Sequence, residues 1–249
     1  MQEKYKKYLF IVIVHIFLGY YYYYLLSLYM KILNLYACLG GNRYKWNEVK
    51  EDIKVTAVEL DSSLAELYKQ RFPGDKVIIA DAHQYLIDHY QEFDFIWSSP
   101  PCPSHSRARY ASFGLNGKNP IYPDMTLYQE IIFLKHHFKG RYVVENVIPY
   151  YEPMFNPQKR GRHLYWTNFL LPNNIDRKKA KGLLGQTNDE FLKLCKFHNI
   201  DNQMLKNYKG NQSKIKIIRN LVDFKVGKTI FEVALNIQTQ FNKKQQTLF

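Results

Sequence analysis

The chain has 249 residues, with 35 Lys and Arg against 22 Asp and Glu, which gives a formal net charge of +13 at pH 7. An apolar content of 46% with 23% charged residues is enough to build a core, so disorder of the whole chain is excluded, and the length suits one sizeable domain. Three cysteines, Cys38, Cys102 and Cys195, with no CxxC pair, exclude a disulfide framework and zinc-finger spacing and point to a reducing compartment. The positive balance points to a polyanionic partner, of which nucleic acid is the usual one.

The first segment, residues 1–29, differs from the rest. Leu9 to Tyr29 carries no charge and follows Lys4, Lys6 and Lys7, the flank of a signal anchor or transmembrane helix. His15 and the run Tyr20 to Tyr24 argue against that reading, because such rings prefer an interface to a bilayer centre. A start at Met30, with read-through of upstream sequence before it, is the favoured expectation; membrane contact by residues 9–29 stays open.

From Met30 the pattern is strand, loop, helix, repeated. Lys31 to Tyr36 predicts a strand that runs into Ala37-Cys38-Leu39-Gly40-Gly41, followed by a polar, aromatic stretch able to open a helix. Lys54 to Leu60 predicts the second strand, with Asp61 or Ser62 capping a helix over Ser63 to Arg71 that Pro73-Gly74 stops. Val77 to Ala80 predicts a third strand, with a helix near His83 to Tyr90. Phe93 to Trp97 predicts a fourth, running into Ser98-Ser99-Pro100-Pro101-Cys102. A helix over Thr126 to Phe138, strands at Tyr142 to Val144 and His163 to Phe169, and a helix over Lys228 to Asn236 complete the series. Such alternation needs right-handed crossovers, which makes the fold class α/β, a doubly wound, mostly parallel sheet covered on both faces. Chemistry should then lie at the carboxyl ends of the strands.

The unusual polar residues do collect there: Gly40-Gly41, Glu59, Asp81, Pro100-Pro101-Cys102 and Glu145. A Gly-Gly loop after the first strand lets backbone approach a ligand, and an acid some twenty positions on, Glu59, is placed to bind ribose hydroxyls. Taken alone, a glycine pair in a turn is more commonly structural. The loop lacks the Lys-Ser/Thr of a P-loop, so a nucleoside triphosphate is not expected. Asp81, after the third strand, would suit an adenine amino group. The eight histidines show no ligand spacing, and the adjacent His136 and His137 would diverge on a helix, so no metal is expected.

Taken in order, Tyr36 to Gly41, Glu59, Asp81, Pro101-Cys102, Glu145-Asn146-Val147 and Gln158-Lys159-Arg160-Gly161-Arg162 resemble the motif series of the DNA cytosine-5 methyltransferases, phage or bacterial type, from Met30 to about Leu235. The resemblance implies a Rossmann-like fold, S-adenosyl-L-methionine as cofactor, and methyl transfer to C5 of a cytosine flipped out of double-stranded DNA. It implies that Tyr36, Ala37, Cys38, Leu39, Gly40, Gly41, Glu59, Asp81, Pro100 and Asn220 bind the cofactor. Cys102 would be the nucleophile, because C5 accepts a methyl group only after a thiolate has added to C6. Glu145 would engage N3 and the exocyclic amine, and Arg162 the 2-carbonyl, with Arg160 bracing the site. Arg160, Arg162 and the basic segment after Cys102 would lower the thiol pKa; Cys38 and Cys195 read as inert.

Three positions depart from the family pattern. Cys38 stands where Gly is usual, Pro103 where Gln follows the nucleophile, and in Arg219-Asn220-Leu221-Val222 only Asn220 and Val222 match the closing GNSV segment. The expected organisation is an extension over 1–29, a cofactor-binding and catalytic core over 30–169, a small target-recognition region over 170–218, rich in Lys and Asn and poor in apolar period, and a return to the core over 219–249. Ser104 to Lys118 reads as a loop able to close on a nucleic-acid backbone. A monomer in the cytoplasm, the host's if phage-encoded, acting alone or beside a restriction enzyme, is the expectation. An amino methyltransferase acting on N4 or N6, a tRNA cytosine-5 methyltransferase and a silent nucleic-acid-binding relative remain alternatives, although Cys102 replaces the aromatic that the amino class would carry after Ser99-Pro100-Pro101.

Overall fold

A computed structural model describes residues 29–111, 119, 121–175 and 187–237. Seven strands form one sheet: β1 (Met30–Leu35), β2 (Ile53–Glu59), β3 (Lys76–Ile79), β4 (Phe95–Ser98), β5 (Arg141–Val147), β6 (Gln158–Arg160) and β7 (His163–Thr167). Their order is β3-β2-β1-β4-β5-β7-β6, with β1 to β5 parallel and β7 antiparallel to both of its neighbours. The helices are α1 (Ser62–Arg71), α2 (Ala82–His89), α3 (Arg107–Ala111), α4 (Thr126–His137), α5 (Asn188–His198), α6 (Lys214–Arg219) and α7 (Phe224–Ala234), with a 3-10 helix over Asn42–Glu48. The doubly wound sheet expected from the alternation is present.

Side-chain alternation along the strands divides the core. Leu33 and Leu35 of β1, Ile96 of β4 and Tyr142 and Val144 of β5 point to one face, under α2 and α4, where Leu86, Leu127, Ile131 and Leu134 meet them. Ile32, Phe95, Trp97 and Val143 point to the other, against Trp46, Ile230 and Phe231. Trp46 lies edge-on to Phe95 at 5.9 Å and donates through Nε1 to the Gly227 carbonyl, so the turn after the first loop is held between sheet and α7.

The helix starts follow the capping chemistry. Asp61 accepts from the N–H groups of Ser63 and Leu64, Asp81 from Gln84, Thr187 from Glu190 and Asp223 from Lys225. Several boundaries shift: the fourth strand is Phe95–Ser98, the fifth extends over Arg141–Val147, the last strand ends at Thr167, the last helix spans Phe224–Ala234, and Gln158–Arg160 is an edge strand that hairpins with β7 through Gly161 at φ +55°. No helix among the described residues is long and apolar enough to cross a membrane, and residues 9–28, with most of the apolar extension, lie outside them.

The described part of the 170–218 region contains more apolar order than its composition suggests. Leu194 and Cys195 of α5, Leu205, Tyr208 and Ile215, Ile217 and Ile218 of α6 close on Leu64 and Leu67 of α1 and on Leu39. The Tyr208 hydroxyl donates to Asp61 at 2.7 Å, and Arg71 donates to the carbonyls of Leu39 and His198. This unit is thus seated beside the first loop, against α1, and the exposed Lys196, Lys206, Lys209, Lys214 and Lys216 line its outside.

Candidate active site at the carboxyl ends of the strands

The loop after β1 carries unusual backbone. Tyr36 (φ +54°), Cys38 (φ +47°) and Gly40 (φ +64°) alternate in the left-handed region, a series that turns the chain back under β2. Ala37 is buried and donates its N–H to the Val58 carbonyl, while Leu39 is fully buried. Both glycines have packing reasons: a Cβ on Gly40 would lie 2.4 Å from the Phe72 ring, and one on Gly41 2.4 Å from the Val222 carbonyl oxygen.

Glu59, at the end of β2, accepts the N–H of Cys38 at 2.8 Å through one oxygen and that of Asp61 at 3.0 Å through the other. Burial raises its pKa, and those two N–H groups pull it back. Each oxygen keeps lone-pair capacity on its open side. Leu60, the next residue, is 69% exposed, and Ile79, at the end of β3, is 58% exposed, so apolar surface lies open beside two acids. Asp81 is exposed and caps α2 through Oδ1. Asn220 ends α6 and is exposed, followed directly by the Leu221-Val222 pair that touches Gly41.

Cys38 is half-buried, and burial followed by Glu59 pushes its thiol up to about 12. Its left-handed backbone costs an L residue roughly 1–2 kcal/mol, more than a small, half-buried side chain contributes by packing. Cys38→Gly should therefore stabilise the protein by about 0.5 kcal/mol and raise Tm by about 2 °C, with the backbone bond to Glu59 kept. A lower Tm in calorimetry would show that thiol packing outweighs the backbone cost.

Around Cys102 the structure gathers residues from three elements. Pro100 is buried, and its carbonyl accepts from Asn146 Nδ2 at 3.0 Å, which ties the loop after β4 to the end of β5. His105 and Ser106 donate back to the Cys102 carbonyl, Ser106 bridges to Pro149, and Arg107 Nε donates to the Pro149 carbonyl. Of the Ser104 to Lys118 segment, residues 112–118 lie outside the described ones. Glu145 is buried, 3.6 Å from His163 Nδ1. Arg162 is exposed on the β6–β7 turn, its carbonyl accepting from the Ile148 N–H.

One expectation changes here. The Cys102 thiol is raised, not lowered: burial is the largest cause and Glu145 the second, and Arg162 opposes them with less effect. Arg160 donates to the carbonyls of Pro172 at 2.5 Å, Lys159 at 2.8 Å and Leu171. It braces the segment after β7. Cys195 is buried in the α5–α6 cluster, and burial pushes its thiol up to about 11. Among the described residues no group of three potential ligands could hold a metal. A cavity of about 600 Å³, lined by Tyr29, Met30, Val49, Lys50, Asp94, Leu235 and Ile237, lies at the amino ends of the strands, away from these groups.

The strand order β3-β2-β1-β4-β5-β7-β6 with a reversed β7, and acids at the ends of β2 and β3, define a Rossmann-like fold of the S-adenosylmethionine-dependent methyltransferase type. Residues 30–148 match the model of the C-5 cytosine-specific DNA methylases. Among solved structures, a mutant of DNMT2 from Spodoptera frugiperda is 24% identical, over 47% of this chain and 35% of that one, with a TM-score of 0.34. The methyltransferase EhMeth of Entamoeba histolytica is 10% identical over 84% and 98%, TM-score 0.48. A prophage-encoded DNA modification methyltransferase from Escherichia coli, its function given as putative, is 13% identical over 84% and 99%, TM-score 0.46. The chain thus spans about a third of the DNMT2 structure and nearly all of the other two. No curated protein matches it.

Proposed function

We propose that the chain is a DNA cytosine-5 methyltransferase that methylates C5 of a cytosine flipped from the duplex, with S-adenosylmethionine as methyl donor. The observation that carries this is the match of residues 30–148 to the C-5 cytosine-specific DNA methylases, together with the placement of Cys102 in the loop after β4, which Asn146 ties to the end of β5, the strand that bears Glu145. The cofactor fits the loop side of the site: Glu59 keeps lone pairs for ribose hydroxyls, exposed Leu60 and Ile79 offer apolar surface to a purine face, and Asp81 keeps an oxygen for an amino group. When bound, it supplies an electrophilic methyl group.

The chain's own residues prepare the acceptor. Cys102 Sγ adds to C6, and the C5–C6 π electrons move to C5 and toward the ring nitrogen and carbonyl. Glu145, at N3 and the 4-amino group, and Arg162, at the 2-carbonyl, stabilise that charge. After methylation, loss of the C5 proton to a base expels the thiolate and restores the ring. Pro100, held by Asn146, fixes the approach of the loop that bears Cys102. The exposed lysines on α5, α6 and the segment between them would grip phosphates, as the +13 charge suggests, and the 170–218 region would contribute target recognition.

Bisulfite sequencing of DNA from cells that express the full chain tests the proposal. Protected cytosines in a short recurring sequence, absent from cells expressing Cys102→Ser, are the expected result. Fully converted DNA, or methylation found by mass spectrometry only at N4 or N6, would end the cytosine-5 reading.

A further inference from the structure

Glu130 of α4 is fully buried, and no step of the chemistry above uses it. Its oxygens are nonetheless occupied. The Tyr36 hydroxyl donates to Oε1 at 2.6 Å, the Ser98 hydroxyl to Oε2 at 2.5 Å, and His83 Nδ1 lies 3.3 Å from Oε1. A carboxylate in the core is costly, and satisfying it takes donors placed on purpose.

Those donors come from three strand ends. Tyr36 opens the loop after β1, His83 lies in the first turn of α2 after β3, and Ser98 closes β4 four residues before Cys102. Leu35 and Ser98 are register partners, so the two hydroxyls leave adjacent strands side by side. Tyr36 also holds φ +54°, which a bulky side chain avoids unless something fixes it. Burial first, and Glu130 second, raise the Tyr36 hydroxyl far above the phenol range, so it stays a donor.

We infer that Glu130 is a positioning residue which, through Tyr36 and Ser98, sets the cofactor loop and the nucleophile loop relative to each other; this rests on the methyltransferase reading above. It touches neither substrate. Tyr36 carries its effect to cofactor affinity and Ser98 carries its effect to the attack by Cys102, so the two effects are separable.

Glu130→Gln tests this, because an amide offers one accepting oxygen and one NH₂, so one of the two hydroxyls must turn from donor to acceptor and shift its loop. With folding checked by circular dichroism, the S-adenosylmethionine Kd should weaken and kcat should fall, each about tenfold. Adding Ser98→Ala removes one of the two hydroxyls, and cofactor affinity should return to within about twofold while kcat stays low. If Glu130→Gln does not fold, Ser98→Ala decides: kcat should fall about tenfold with the S-adenosylmethionine Kd kept within about twofold. A wild-type protein that methylates DNA, with variants that lose only melting temperature and keep Kd and kcat within twofold, would overturn the inference and leave the proposed function standing. A wild-type protein that neither binds the cofactor nor methylates DNA would overturn both.

Discussion

Cys102→Ser should lower DNA methylation by on the order of 10⁴-fold or more while cofactor affinity changes by less than about twofold. The alcohol is not ionised near neutral pH and adds poorly to C6, so C5 never becomes the carbon that can take a methyl group. The cofactor side is spared because Cys102 follows β4, whereas Glu59, Leu60 and Asp81 sit at the ends of β2 and β3. Wild-type protein should form a covalent complex with DNA containing 5-fluorocytosine, which a denaturing gel resolves, and Cys102→Ser should not. The free-enzyme kcat/KM should also rise with pH through and beyond the ordinary thiol range, because burial and Glu145 hold Cys102 as a thiol and the thiolate is the attacking form. Glu145→Gln removes the negative charge that opposes ionisation, so its residual activity should reach the plateau at lower pH. An unchanged profile would show that Cys102 and Glu145 are not coupled. Substantial C5 methylation by Cys102→Ser would remove the adduct mechanism altogether.

What could be read from the sequence was what is local. Apolar runs ending in Glu59, Asp81, Cys102 and Glu145 mark strand ends because the change from apolar to polar occurs within one or two residues, and the sheet then gathers those ends without further information. The long-range pairings left no such mark. Glu130 meets Tyr36 across 94 residues and Ser98 across 32, and Asn146 meets the Pro100 carbonyl across 46, so their geometry depends on strand order and on which face α4 turns inward. The hydrogen bonds of Arg160 to the carbonyls of Leu171 and Pro172 left no mark either, because they depend on how the segment after β7 folds back on β6. The thiol shift was misjudged for a related reason: charge density is visible in a sequence, burial is not, and burial is the larger cause. The α5–α6 unit was read as unpatterned because its stripe is split over helices of 11 and 6 residues, too short for a 3.6-residue period to stand out.

Gly41→Ala should destabilise the fold by about 2–3 kcal/mol, lowering Tm by roughly 6–10 °C, although the backbone angles alone predict the opposite sign. Gly41 has φ −57° and ψ −49°, where Ala is normally favoured over Gly by about 1 kcal/mol. Space reverses the sign. The added Cβ would lie 2.4 Å from the Val222 carbonyl oxygen and 3.1 Å from Leu221 Cβ, and the first of these is backbone that no rotamer change can move. Retreat of the carboxyl-terminal segment is blocked as well, since Gly227 of α7 is pressed so closely on Asn42 that a Cβ there would meet the Asn42 carbonyl oxygen at 2.3 Å. The first loop and the 219–237 segment must therefore separate together, and S-adenosylmethionine affinity should fall with stability. Gly74→Ala is the control, because nothing lies within 4 Å of its Cβ position, and its Tm should stay within about 2 °C of wild type. A Gly41→Ala melting temperature at or above wild type would mean that the carboxyl-terminal segment slides freely over the cofactor loop, and the docking of Leu221-Val222 would lose its structural role.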